Sequence, residues 1–241
     1  MPPVNPAAIA RIRDLPSLLA FLSDELNWPL DPAAAPEDAT FDYRADELRV
    51  QPAQAARLRG GVVRQLRDLH GGQPWGVFLV EFNEPQVYKT ALRQVLRGLV
   101  PSRRGAATQR TWAHENLLFI CTTRDYDRFT FAHFRGQEAS RAVLTTFGWQ
   151  HGDGHVRTLC EYNLPGLCFP DDRGADPRAW LAGWQSAFDV ETVTRRFFMD
   201  YRAVFEAAER RITGLAADTR RLFIQKLFNR LMFLVFLERK G

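Results

Sequence analysis

The sequence is poor in the features that mark secreted, membrane and disulfide-rich proteins. Its three cysteines, Cys121, Cys160 and Cys168, are too few and too widely spaced for a disulfide framework or a four-cysteine zinc site. No apolar run approaches the roughly 18 residues that a membrane helix needs. The first residues have neither the basic nor the apolar part of a secretory signal. We therefore expect a protein of the reducing cytoplasm, without a membrane partner.

Motifs for cofactor binding and nucleophilic catalysis are also missing. No glycine-rich loop follows a strand and opens a helix, and no Gly-x-Ser-x-Gly elbow surrounds a serine. His151 and His155 form a spaced pair, but Gly152 and Gly154 predict a turn there. Two histidines without a third ligand do not make a zinc site. The sequence therefore predicts no metal site and no cofactor within this chain.

Basic residues are concentrated in two blocks, although the net charge of the 241-residue chain is only +4. Residues 51–110 contain 10 basic and 3 acidic residues, and residues 190–241 contain 11 and 6. Such blocks favour a polyanionic partner such as DNA. The alternative is that these side chains solvate the exposed faces of helices.

Arginines of the first block are the candidate DNA-binding residues. Arg93 and Arg97 lie four residues apart on one face of a predicted helix, Arg103 and Arg104 follow its C-terminal end, and Arg110 is nearby. Side chains in this arrangement could track the phosphate backbone. Phosphate contacts position a protein on DNA without reading its sequence, so we expect target recognition to lie elsewhere.

Hydrophobic periodicity and turn residues predict an α+β fold: a mixed α/β unit with an antiparallel strand meander, followed by a C-terminal helical hairpin. Residues 1–50 are predicted as a helix (8–27), either continuous or divided into two pieces at Pro16, and a proline-rich loop with a short strand at 41–50 as an option. Residues 51–170 are predicted as the α/β unit, and residues 171–241 as helical. Within the α/β unit we expect helices at 52–69 and 85–100 and strands at 75–82, 116–123, 128–135, 142–149 and 155–162. The helical segment is predicted to contain helices at 177–188, 189–212 and 218–239.

The last predicted helix is apolar on all sides over its C-terminal half. Leu231 to Leu237 is an unbroken run of large apolar residues, and more lie upstream between Leu222 and Phe228. A helix that is apolar all round requires burial on every side. We therefore expect either that the chain is the front part of a longer protein or that this helix docks onto a partner. The alternative is a last helix enclosed in a complete bundle.

Two segments carry a resemblance to a known family. They are residues 189–202, DVETVTRRFFMDYR, and residues 223–241, FIQKLFNRLMFLVFLERKG. They resemble the N-terminal region of large bacterial adenine-specific DNA methyltransferases of the type IIG restriction–modification kind, and residues 75–100 resemble the upstream part of the same proteins more weakly. In that family such a helix pair precedes the methyltransferase domain, which uses S-adenosylmethionine.

The catalytic motifs of that family are absent from this chain. There is no Phe-x-Gly-x-Gly-type loop for S-adenosylmethionine, and the nearest match to the Asn-Pro-Pro-Tyr/Phe tetrapeptide is Asn5-Pro6-Ala7-Ala8. The resemblance thus implies an N-terminal module of a restriction–modification or phage-defence protein. We expect it to contact DNA and to dock the methyltransferase domain through the helices at 190–212 and 218–239. Whether the chain is itself an enzyme is left open.

Two alternatives to this function remain. N-terminal regions of such enzymes often carry a magnesium-dependent nuclease of the PD-(D/E)xK kind, in which two acids hold the metal and a lysine acts beside them, and the front half could hold such a nuclease in an active or a degenerate form. Glu81, at the end of the best predicted strand, is the candidate catalytic acid. Asp42, Asp46 or Asp68 would be the second acid, and Lys89 would replace the lysine because Asn83 occupies its usual place. The other alternative is a module that binds only protein.

Overall fold

A computed structural model describes residues 3–31, 34–48, 50–67, 75–100, 116–135, 143–171 and 176–240. The chain divides into two compact units, Met1–Phe188 and Asp189–Gly241. The first unit holds a mixed sheet with helices, and the second holds two long helices. The α+β fold class predicted from the sequence is therefore confirmed.

One six-stranded sheet forms the centre of the first unit. Its strands lie side by side in chain order: β1 (Thr40–Arg44), β2 (Val62–Leu66), β3 (Trp75–Glu81), β4 (Asn116–Thr122), β5 (Arg128–Arg135) and β6 (Val143–Gln150). Neighbouring strands are antiparallel except β3 and β4, which run parallel. The predicted meander is thus confirmed for β4, β5 and β6.

The helices of the first unit cover both faces of this sheet. They are α1 (Pro6–Ile9), α2 (Leu15–Asp24), α3 (Pro36–Ala39), α4 (Pro52–Ala55), α5 (Lys89–Leu99), α6 (Val156–Tyr162) and α7 (Pro177–Phe188). The crossover between the parallel strands contains α5, as parallel neighbours require. Its apolar residues recur at helical spacing and pack on one face of the sheet, whereas α1, α2, α6 and α7 pack on the other. Every residue of β3 is consequently buried.

Tryptophans dominate the core on the second face. The ring of Trp180 lies 5.7 Å from Trp28, 4.9 Å from Trp75 and 4.8 Å from Trp184, measured between centroids. The indole nitrogens of Trp28 and Trp180 both donate to the carbonyl oxygen of Leu167. In this cluster two indole N–H groups have a hydrogen-bond acceptor, and the rings bury large apolar surfaces. Buried tryptophans stabilise a core in this way.

The second unit consists of α8 (Val190–Arg211) and α9 (Ala217–Lys240). The two helices pack through aromatic rings: the Phe228 ring lies 5.4 Å from that of Tyr201 and 5.5 Å from that of Phe205. The predicted helix pair is therefore present. None of the helices in the described part of the chain is long and apolar enough to cross a bilayer.

The predicted helix at 52–69 is wrong. Only α4 and a 3₁₀ turn at Arg59–Gly61 are helical, and β2 follows. Gly60 and Gly61 adopt φ values of 64° and 65°, in the left-handed region that glycine tolerates, and this ends any helix. The β-branched Val62 and Val63 then pair with β1.

One further prediction is corrected, and the opening helix is present in two pieces. The predicted strand at 155–162 is α6, because Gly152 turns the chain with φ 86° and Leu159, Cys160 and Asn163 are buried at helical spacing. The segment at 8–27 forms α1 and α2, and Pro16 lies in the first turn of α2. Asp14 caps α2 by accepting a hydrogen bond from the backbone of Ser17, which starts a new helix there.

Candidate anion-binding cleft and docking helix

Glu81 ends β3 at the carboxyl edge of the parallel strand pair and is only 4% exposed. A carboxylate this deeply buried is costly unless it is paired. The Tyr126 hydroxyl donates to its Oε1 at 2.6 Å, and Nη1 of Arg59 lies 3.3 Å from the same oxygen. Nη1 of Arg64 forms an ion pair with Oε2. Glu81 is therefore the centre of a charged cluster.

The sheet register explains why Arg64 reaches Glu81. Arg64 on β2 lies opposite Leu79 on β3 and opposite Asp42 on β1. Because alternate residues of a strand point to the same face, Glu81 lies on the face that Arg64 occupies. Arg64 also binds Asp42, with Nε 3.2 Å from Oδ1. One guanidinium thus joins carboxylates on two strands.

Tyr126 lies in the turn between β4 and β5 with φ 54°, a left-handed conformation that is unusual for a bulky residue. Its side chain is 2% exposed. Burial raises the pKa of Tyr126 to about 12, although the nearby Arg59 and Arg64 act in the opposite direction. The hydroxyl therefore stays protonated at neutral pH and remains a donor to Glu81.

A cleft of about 560 Å³ opens beside this cluster, between the start of α2 and the β4–β5 turn. Four arginines and three carboxylates line it: Arg13, Arg59, Arg64, Arg124, Asp14, Glu81 and Asp125. Hydrogen bonds from Ser17 lower the pKa of Asp14, so its charge is already stabilised at the cap of α2. With Glu81 shared by two arginines, the lining favours an anion over a cation.

The residues present do not fit the magnesium site of the nuclease alternative. Both Asp42 and Glu81 are bound to Arg64, so a guanidinium lies between the two acids that would have to share a metal. Asp46 pairs with Arg44 instead. The part of the chain that the structure describes contains no group of three histidine, cysteine, aspartate or glutamate side chains that could hold a metal ion.

The other residues of the nuclease hypothesis are placed elsewhere. The amide of Asn83 donates to the carbonyl oxygens of Ala56 and Leu58, which is a structural role. Lys89 lines a different cleft, together with Arg93 and Arg128. Asp68 lies outside the described residues.

The predicted DNA-binding arginines are only partly described. Arg93 and Arg97 are exposed on α5, on the side opposite its buried apolar residues. Neither is among the described residues that line the cleft at Glu81. Arg103, Arg104 and Arg110 lie outside the described residues.

Sequence reasoning missed Arg59, Arg64 and Tyr126 as partners of Glu81. The predicted helix at 52–69 includes Arg59 and Arg64, although the Gly60-Gly61 pair followed by Val62-Val63 is a usable signal for a turn and a strand. Tyr126 lies between the predicted strands at 116–123 and 128–135, but nothing local in the sequence shows that its hydroxyl reaches Glu81. That contact depends on how β3, β4 and the turn after β4 come together.

The apolar surface of α9 is the second notable feature. All seven residues from Leu231 to Leu237 are between 44% and 59% exposed. Seven consecutive residues make almost two turns and therefore cover every side of a helix. Contiguous exposed apolar surface of this kind is typical of surfaces that contact a protein, a membrane or a ligand, and of segments prone to aggregation.

Comparisons with protein-family models, with curated proteins and with solved structures found no significant match to this chain.

Proposed function

We propose that the chain is a DNA-positioning and domain-docking module of a restriction–modification protein whose methyltransferase domain modifies adenine. The observation that carries this proposal is the exposure of seven consecutive apolar residues of α9, Leu231 to Leu237, which cover every side of the helix. The resemblance of α8 and α9 indicates what docks there, because in that family a methyltransferase domain follows such a helix pair. An apolar surface of the methyltransferase domain would cover Leu231 to Leu237 and remove them from water.

The proposed function predicts that DNA methylation depends on the gene for this chain. Deletion of the gene that encodes this chain should abolish N6-methyladenine at one DNA motif in the source organism. The methyltransferase domain would be lost together with the module if the two share one chain, and would lose its docking and positioning surface if they do not. Sequencing that detects methylated bases measures this at every motif of the genome. A deletion strain complemented with the gene is the control and should regain methylation. An unchanged methylation pattern would contradict the proposed origin.

Arg93 and Arg97 support the DNA-positioning part of the proposal. We expect the purified chain to bind duplex DNA with an affinity that falls as salt rises, since phosphate contacts release counterions. The variant Arg93→Gln/Arg97→Gln should bind more weakly, and its slope of log affinity against log salt should be smaller by about 1.8. Fluorescence anisotropy over a salt series measures both quantities.

A matched variant separates these contacts from net charge. Arg157 on α6 is 82% exposed in its side chain and Arg178 on α7 is also exposed. Arg157→Gln/Arg178→Gln removes the same charge and should keep the wild-type slope. Equal slopes for all three proteins, or no binding at low salt, would refute the contribution of α5.

A further inference from the structure

We propose that the cleft beside Glu81 binds a phosphate group. Arg13, Arg59 and Arg124 would contact the phosphate, and Arg64, Glu81 and Tyr126 would hold the cleft in shape. This site uses none of the α5 arginines, and it does not depend on the restriction–modification origin proposed above.

The position of the cleft in the fold is the first argument. It lies at the carboxyl ends of β3 and β4, the parallel pair of the sheet. In sheets with parallel strands, ligands bind in the crevice outside these ends. The segment before α2, the turn before β2 and the turn after β4 each bring one arginine to this edge: Arg13, Arg59 and Arg124.

The hydrogen bonds that hold the arginines are the second argument. Glu81 is 5% exposed in its side chain, so its carboxylate is turned away from solvent and is occupied by protein donors. It binds Arg59 through one terminal nitrogen, whereas a guanidinium has five N–H donors. The side chain of Arg59 remains 53% exposed. A buried carboxylate can thus fix an arginine while leaving donors for a ligand.

The chemistry of the lining favours phosphate over a carboxylate ligand. Guanidinium groups match phosphate oxygens in pairs, and a phosphate offers more acceptor oxygens and more charge than a carboxylate. Arg13 and Arg124 are exposed at the rim. Arg13 contacts neutral partners, the ring of His151 and the carbonyl oxygen of Ile12, so its charge is not cancelled there. Arg135, beyond the cleft, plays no part.

The test is calorimetric titration at low salt with four probes. They are inorganic phosphate, adenosine 5′-monophosphate, a short DNA single strand with a 5′-phosphate, and the same strand with a 5′-hydroxyl. We expect the three probes that carry a terminal or free phosphate to bind. Arg59→Gln/Arg124→Gln should weaken binding by about tenfold or more, because each arginine supplies a charge-assisted hydrogen bond.

Three control variants make the result specific. Arg157→Gln/Arg178→Gln removes the same charge outside the cleft and should bind phosphate as the wild type does. Arg124→Gln alone leaves the partners of Glu81 intact, so a weaker affinity in this variant is not a folding effect. Arg93→Gln/Arg97→Gln should also retain phosphate binding, so failure of the proposed DNA-binding role would be seen separately.

The probes also identify the source of the phosphate. Tighter binding of the 5′-phosphorylated strand than of the nucleotide supports a nucleic acid end as the ligand. Similar affinities for inorganic phosphate, nucleotide and strand support a small phosphate compound. The proposal is overturned if no phosphate-bearing probe binds the wild type, or if Arg59→Gln/Arg124→Gln and Arg124→Gln both bind with wild-type affinity.

Discussion

Replacing Glu81 by alanine should lower the free energy of unfolding by about 3 kcal/mol. The change would leave the buried Tyr126 hydroxyl without its acceptor and would remove one of the two carboxylate partners of Arg64, whose side chain is only 23% exposed. Arg59 contributes less, because its side chain is half exposed and is screened by water. Unfolding in urea, followed by tryptophan fluorescence, measures the loss.

Two variants sharpen this prediction. Glu81→Gln keeps an acceptor for Tyr126 but loses the charge, so its stability should fall between those of the wild type and Glu81→Ala. Glu161→Ala removes an exposed helix-surface ion pair with Arg157 and should change stability by only about 0.5 kcal/mol.

The outcome also discriminates between the two roles considered for Glu81. A carboxylate kept for a metal ion would be a source of strain in the absence of that metal, and its removal would leave stability unchanged or raise it. If Glu81→Ala is as stable as the wild type, the structural ion-pair role is refuted.

Acidification should destabilise the first unit through His133, by up to about 3 kcal/mol between pH 6.5 and pH 4. His133 on β5 is 4% exposed, with its ring 5.7 Å from that of Trp184 and 5.4 Å from that of Phe188. Burial, with a smaller contribution from the charge of Arg135, lowers the pKa of His133 to about 4.

The sign follows from proton binding. An unfolded histidine has a pKa near 6.5, so between pH 6.5 and pH 4 the unfolded chain binds a proton that the folded protein does not. Stability therefore falls as the pH falls through this window, and His133 has no effect above it. Urea unfolding at a series of pH values gives the dependence.

A leucine variant isolates this residue from the carboxylates, which titrate in the same range. His133→Leu should lose less stability than the wild type between pH 6.5 and pH 4, since the carboxylate contribution is common to both. Parallel curves for wild type and His133→Leu would show that His133 is not the acid-sensitive group.

Local sequence determined most elements of this protein. The continuous apolar run of β3 and the helical spacing of Leu92, Val95, Leu96 and Leu99 in α5 each predict their element without knowledge of the rest. The turn after β4 and the run of apolar residues on all sides of α9, Leu231 to Leu237, are likewise visible in the sequence. These features depend on neighbours within a few residues, which a single sequence displays.

Only the tertiary structure decided that β2 is a strand and that α6 is a helix. It also decided which residues line the cleft. Val62–Leu66 became a strand because β1 and β3 offer it hydrogen-bonding partners on both sides, and α6 became a helix because its buried residues face the core at helical spacing. Glu81 is recognisable alone as an acid at a strand end. Its partners Arg59, Arg64 and Tyr126 come from segments 17 to 45 residues away in the chain. The attraction between charged side chains depends on the distance between them, and the packed sheet sets that distance. Which arginines pair with Glu81 therefore follows from strand register and not from spacing in the sequence.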